Sequence, residues 1–203
     1  MTWEELEKLP DEIAGQIELW DGRVVWSPRG PMEQQAFNRR VTNALEWSAR
    51  KSMSEKPDTG WRVELETKVS LGRTGKSDFL TPDFLVCRCP EASFRDVRAS
   101  ATLLVGEVLS PTNTQSDMEA KKGRYAGAGI PWYWEVTIAR DVSAIAVVRA
   151  FALATELGPL PDGVHPLRRG TYALVGEWTP ADTDGVHIEF PFPITIPWTD
   201  LEY

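Results

Sequence analysis

Leu103-Leu104-Val105-Gly106-Glu107-Val108-Leu109-Ser110 decides how this chain is read. The run from Ala101 to Leu109 is apolar apart from one carboxylate, which suggests a central strand covered on both faces. An ionised carboxylate is costly to bury unless something compensates it. Glu107 could pair with Lys or Arg, hold a proton, reach solvent near the strand end, or bind a metal ion.

Working outward, Thr81-Pro82-Asp83-Phe84-Leu85-Val86 puts an Asp at the mouth of a second apolar strand, Phe84 to Cys89. Alone, such an Asp is a turn residue. Downstream, a helix is expected near Asp117 to Ala128, with Ser116 and Glu119 at capping-box spacing and Gly127 and Gly129 near its end. Asp117, Lys121 and Tyr125 recur every four residues and share one face; alone, they read as a surface Asp–Lys pair. Together the pieces form a chemical set. Two carboxylates on neighbouring strand ends can hold a hard divalent cation through oxygen. A nearby Lys can orient water or offset charge on a phosphate, which suits phosphodiester hydrolysis.

The remaining pattern frames that set. Thr2 and Glu5 suggest a capped helix that Pro10-Asp11 stops. Gln16 to Trp20 and Arg23 to Ser27 read as a hairpin over Asp21-Gly22. Glu33 to about Lys51 is an amphipathic helix with Phe37, Val41, Ala44 and Leu45 near one face. Trp61 to Leu71 alternates as one strand. Trp132 to Ile138 and Val142 to Ala152 are further strands, and short β-like pieces follow a stretch rich in Pro, Gly and Asp. His187 to Tyr203 reads as a sheet-edge or dimer element. Helices flanking strands in mixed order predict an α/β fold with a mixed sheet.

Composition narrows the partners. The formal net charge of −8 argues against a broad, non-specific polyanion-binding surface, so any nucleic-acid contact needs a local basic set. Arg29, Arg39, Arg40, Arg73, Lys76, Lys121, Lys122 and Arg124 would supply it. Cys87 and Cys89 read as two core thiols in a reducing compartment. The acidic start is unlike a signal peptide, and no apolar run approaches the roughly 20 residues of a membrane span, so a soluble cytoplasmic protein is expected. Gly72-Arg73-Thr74-Gly75-Lys76-Ser77 has too few residues between its glycines for a P-loop. No Gly-x-Ser-x-Gly elbow supports a serine hydrolase.

Pro82-Asp83 followed by Glu107 resembles the PD-(D/E)XK nucleases. Ile17-Glu18-Leu19-Trp20-Asp21-Gly22-Arg23-Val24, Glu107-Val108-Leu109-Ser110-Pro111-Thr112, the helix residues Asp117, Lys121 and Tyr125, and Tyr125 to Trp134 are similar to the Uma-type restriction endonucleases. The superfamily's usual Lys position falls on Leu109, and Lys121 matches the helix Lys that takes its role. Glu33-Gln34-Gln35 stands where the family often has a His, and Thr137 where it often has an Asp.

The resemblance implies a restriction-endonuclease-like mixed central β-sheet flanked by helices. It implies one domain over 1–203, with a core over about 14–152 and a β-rich C-terminal extension over about 153–203. Its implied activity is Mg²⁺- or Mn²⁺-dependent endonuclease cleavage of DNA. Asp83, Glu107 and Lys121 would be catalytic, with Glu18, Asp117 and Tyr125 in support. Asp83, Glu107 and Val108 would hold the metal, and Arg39, Arg40, Lys76 and Lys122 would contact nucleic acid. A homodimer would present two sites. The rival expectation is a catalytically silent nucleic-acid-binding or protein-interaction module of the same fold.

Overall fold

The computed structural model describes residues 1–56, 60–72, 77–89, 97–110, 113–155 and 170–202. Helix α1 (Trp3–Leu6) is capped as expected: the Thr2 hydroxyl accepts from the Glu5 N–H, and the Glu5 carboxylate accepts from the Thr2 N–H. Pro10 does more than stop that helix. It opens α2 (Asp11–Ala14), because the start of a helix does not use the N–H that proline lacks. Strands β1 (Ile17–Trp20) and β2 (Arg23–Trp26) pair over Asp21 and Gly22, whose φ angles of 51° and 78° are those of a primed turn. Helix α3 (Met32–Glu55) extends beyond both expected ends.

The strand expected from Trp61 to Leu71 is divided. It forms β3 (Trp61–Leu65) and β4 (Val69–Ser70), because Glu66 takes a φ of 45° and turns the chain from one sheet to another. Then come β5 (Phe79–Leu80), β6 (Phe84–Arg88), β7 (Val97–Arg98), β8 (Thr102–Leu109) and α4 (Gln115–Gly127). Strands β9 (Trp132–Ile138), β10 (Ile145–Ala154), β11 (Thr171–Trp178), β12 (Gly185–Ile188) and β13 (Ile194–Pro197) complete the described elements. The N-cap of α4 is Thr114, not Ser116: its hydroxyl accepts from the Asp117 N–H at 3.3 Å.

The main sheet runs β11-β10-β9-β8-β6-β3, and a smaller sheet runs β2-β1-β5-β4-β7. In the main sheet β8 and β9 are parallel and the other neighbours antiparallel. Parallel neighbours need a crossover, and α4 is that crossover. Alternation then sorts the side chains. Leu104, Val108, Phe84, Val86, Trp134 and Val136 meet α3, while Val105, Leu85 and Tyr133 join Tyr125 of α4. Glu107 shares the parity of Val105 and falls on the α4 face. In the C-terminal segment, β12 and β13 pair as a separate two-stranded sheet that packs into the core. Ile194, Ile196, Trp198 and Leu201 are buried in the same cluster as Phe37, Val41 and Leu45. Cys87 is a buried thiol as expected, but Cys89 lies past the end of β6 and is exposed.

Candidate active site

Three short segments deliver the acids. Asp83 precedes β6, Glu107 lies on β8, and Glu18 lies on β1 of the smaller sheet. Gly106 seats the first two together. It stands opposite Phe84, whose ring fills the space a side chain would need; a Cβ there would lie 2.0 Å from the ring's Cζ. The Asp83 carboxylate Oδ2 accepts from the Val108 N–H at 2.7 Å. From α4, the Lys121 ammonium lies 3.1 Å from Glu18 Oε1 and donates to both Glu107 oxygens at 3.3 Å. One turn further on, the Tyr125 hydroxyl donates to Glu107 Oε1 at 2.8 Å. Glu18 is fully buried and accepts from the Thr81 N–H and the Trp20 indole N–H, both at 3.0 Å. The helix face read from spacing therefore turns inward: Lys121 serves two buried acids, and the surface Asp–Lys reading gives way.

Electrostatics follow from three acids gathered around one ammonium. Burial pushes the Glu107 carboxyl up to about 8, against the pull of Lys121 and with the repulsion of Asp83 and Glu18. Burial also pushes Asp83 up to about 6, although it keeps some solvent contact; the Val108 N–H, Lys121 and the Gln34 carboxamide oppose the rise. Burial works against the Lys121 charge, but Glu107, Glu18 and Asp83 outweigh it and hold the ammonium above its ordinary range. Tyr125 is raised well above its usual range by burial and by Glu107, so it is a neutral donor. Asp83, Glu107 and Lys121 line an open cleft of about 570 Å³ with Glu18, Trp26 and Asp117.

The donor set fits a hard cation. Its carboxylate oxygens are buried and mutually repelling, and a divalent ion would relieve both penalties. Among the described residues, no group of three or more His, Cys, Asp or Glu side chains forms a metal cluster. An ion would therefore complete its shell with backbone oxygen, water or phosphate.

The other expected residues scatter. Asp117 lines the cleft rim, where its carboxylate accepts from the Thr114 hydroxyl at 2.5 Å. Lys122 binds Glu135 at 3.1 Å and lies over the Phe151 ring at 3.5 Å, away from the acids. Arg39 is exposed on α3 and Arg40 lies near the Phe37 ring; neither lines the cleft. Arg124 is held by Asp21 and Asp78. Arg29 reaches Glu66 at 3.1 Å. Lys76 and Arg73 lie outside the described residues. Sequence reasoning missed the Trp20 and Thr81 donors to Glu18. It also missed Gln34, whose signal was an amide at the start of the long helix.

Comparison with known proteins shows the family and the fold. A family model described as "Putative restriction endonuclease", Uma2, matches residues 3–150. A crystal structure of a protein described as a putative nuclease belonging to DUF820, from Anabaena variabilis ATCC 29413, superposes with a TM-score of 0.62 at 16% identity. The match covers 99% of this chain and 97% of that one. At that identity the likeness is one of fold. No curated protein matches.

Proposed function

The chain belongs to the Uma2 restriction endonuclease family, and from that premise we propose that its cleft is the active centre of a metal-dependent endonuclease hydrolysing DNA phosphodiester bonds. The family supports a nuclease-like function. One observation carries it: the Lys121 ammonium bridges Glu18 at 3.1 Å and Glu107 at 3.3 Å in an open cleft that also reaches Asp83.

Asp83 and Glu107 would hold Mg²⁺ or Mn²⁺. Within a strand, one residue's N–H and C=O face the same edge. The Val108 N–H meets Asp83, so the Val108 carbonyl, on the same edge, would be the third group to hold the ion. The ion would supply Lewis acidity toward water and a phosphate oxygen. The protein's own groups do the rest. Tyr125 and Lys121 fix the Glu107 carboxyl, and the Val108 N–H fixes Asp83. The three acids hold Lys121 as an ammonium, in a position to orient water or offset phosphate charge. Glu18 anchors Lys121, and Asp117 orders the start of α4 through Thr114.

Nucleic-acid backbone contacts by Arg39, Arg40 or Lys122 would lie outside the cleft, whose basic lining among the described residues is Arg29, Lys68 and Lys121. We read 1–203 as one domain of a cytoplasmic protein. A homodimer would let two clefts address both strands of a duplex. No helix among the described residues is long and apolar enough to cross a membrane. A silent binding module is the second reading. It is favoured by the closed Lys121 ion pairs and the net charge of −8.

Supercoiled plasmid and single-stranded DNA, incubated with Mg²⁺, Mn²⁺ or chelator, separate the two. The nuclease reading expects nicking only with metal, and none from Glu107→Ala. Equal silence of both proteins on every substrate and metal would favour the module.

A further inference from the structure

Trp26 is 57% exposed at the end of β2. An indole is a large apolar group that folding normally covers. It is held in place by rigid backbone: Trp26 pairs with Ile17 across the hairpin, and the Ser27 N–H donates to the Gln16 carbonyl at 2.8 Å. Trp26 lines the same cleft as Asp83, Glu107 and Lys121. Three residues on, Arg29 lines it too, with its side chain 72% exposed and paired to Glu66 at 3.1 Å. An ion pair so exposed is weak and can be exchanged for a phosphate.

We propose that Trp26 is a stacking platform for an unpaired nucleobase, with Arg29 beside it for the adjoining phosphate. The occupant is a nucleotide of the strand whose scissile phosphate lies at the acids, so this inference rests on the nuclease reading. The chemistry is specific to class and tolerant of sequence. Every base presents a π-face to an indole, and an arginine next to it tracks the backbone. The base must be free of its partner, either in a single strand or displaced from a duplex. Val24 on β2 is also exposed, at 48%, and could meet a second copy of the chain along that edge. Trp26 faces the cleft as well as the edge, which favours the nucleobase.

The test is fluorescence anisotropy with labelled single-stranded and duplex oligonucleotides, in Ca²⁺ and in chelator. Trp26→Ala should bind single strands roughly tenfold more weakly, the size of one base–aromatic stack, and Trp26→Phe should bind within about twofold of wild type. Walking one abasic site along the strand should reproduce that loss at one position in wild type and cost Trp26→Ala nothing there. A matching loss on duplex identifies a displaced base; a loss confined to single strands identifies single-stranded substrate. Unchanged binding by Trp26→Ala overturns the inference alone. So does a loss that tracks only dissociation of a dimer in sedimentation, without abasic sensitivity. If wild type binds no nucleic acid in either condition, this inference and the nuclease reading fall together.

Discussion

The two faces of the main sheet are built on opposite principles. Against α3, the strands present Phe84, Val86, Leu104, Val108, Trp134 and Val136, and the C-terminal hairpin adds Ile194 and Ile196. Apolar packing dominates there, although the buried Trp134 indole N–H has no hydrogen-bond partner among the described residues. Against α4, the same strands present Glu107 and Glu135, each met by a lysine of one helix. Those two acids are register partners on adjacent parallel strands, so the helix must bring Lys121 to one and Lys122 to the other. A fold that needed only stability would gain as much from apolar residues at these places. Polar groups kept on one face, beside a cleft, point to chemistry there.

That contrast can be broken from either side. Glu107→Ala should abolish metal-dependent cleavage, a loss on the order of 10³-fold or more, while the protein stays folded by circular dichroism. On the opposite face, Phe37→Ala should cost about 3–5 kcal/mol in denaturant unfolding, while the molecules that remain folded keep their activity. An activity loss from Phe37→Ala without unfolding would erase the distinction.

Proton linkage sharpens it further. Glu107 is raised from 4.5 to about 8, so the folded metal-free protein binds an extra proton between those values. Stability should therefore fall as pH rises through that window, by at most about 1.4 kcal/mol per pH unit for one proton, and level off above it. Asp83 adds the same sign up to about 6. Glu107→Gln should flatten its share of the slope in urea titrations across pH. A slope that rises with pH in metal-free protein would contradict the burial described. The smallest effect belongs to the helix that carries Lys121: Thr114→Ala should cost about 1 kcal/mol by removing the cap of α4, read as a lowered midpoint.

Much of this was legible where local rules act alone. Asp21-Gly22 forced its turn, and β9 has the bounds its run of aromatic and β-branched residues implies. Glu107 stood out because a buried charge demands an explanation, and its spacing to Asp83 and Lys121 supplied one. The rest was set by tertiary context. The break at Glu66 depends on a positive φ that alternation cannot express. Strands of two residues, such as β5, are shorter than any readable period. Resemblance points to Glu18, but its donor Thr81 meets it only once β5 pairs with β1, and the Trp20 indole donates from two residues along the same strand. The hairpin of β12 and β13 looked peripheral because its four-residue strands gave no hint of what they cover.

If the α4 face is built around a cation, the metal-free protein should take one up there. Isothermal titration of the metal-free protein with Mn²⁺ at pH 7, in buffers of different ionisation enthalpy, tests it most directly. Mn²⁺ should bind with proton release, since a raised Glu107 must give up its proton to become a ligand, and Glu107→Gln should bind it much more weakly. Absence of binding, or equal binding by Glu107→Gln with no proton released, would contradict a cation-centred α4 face.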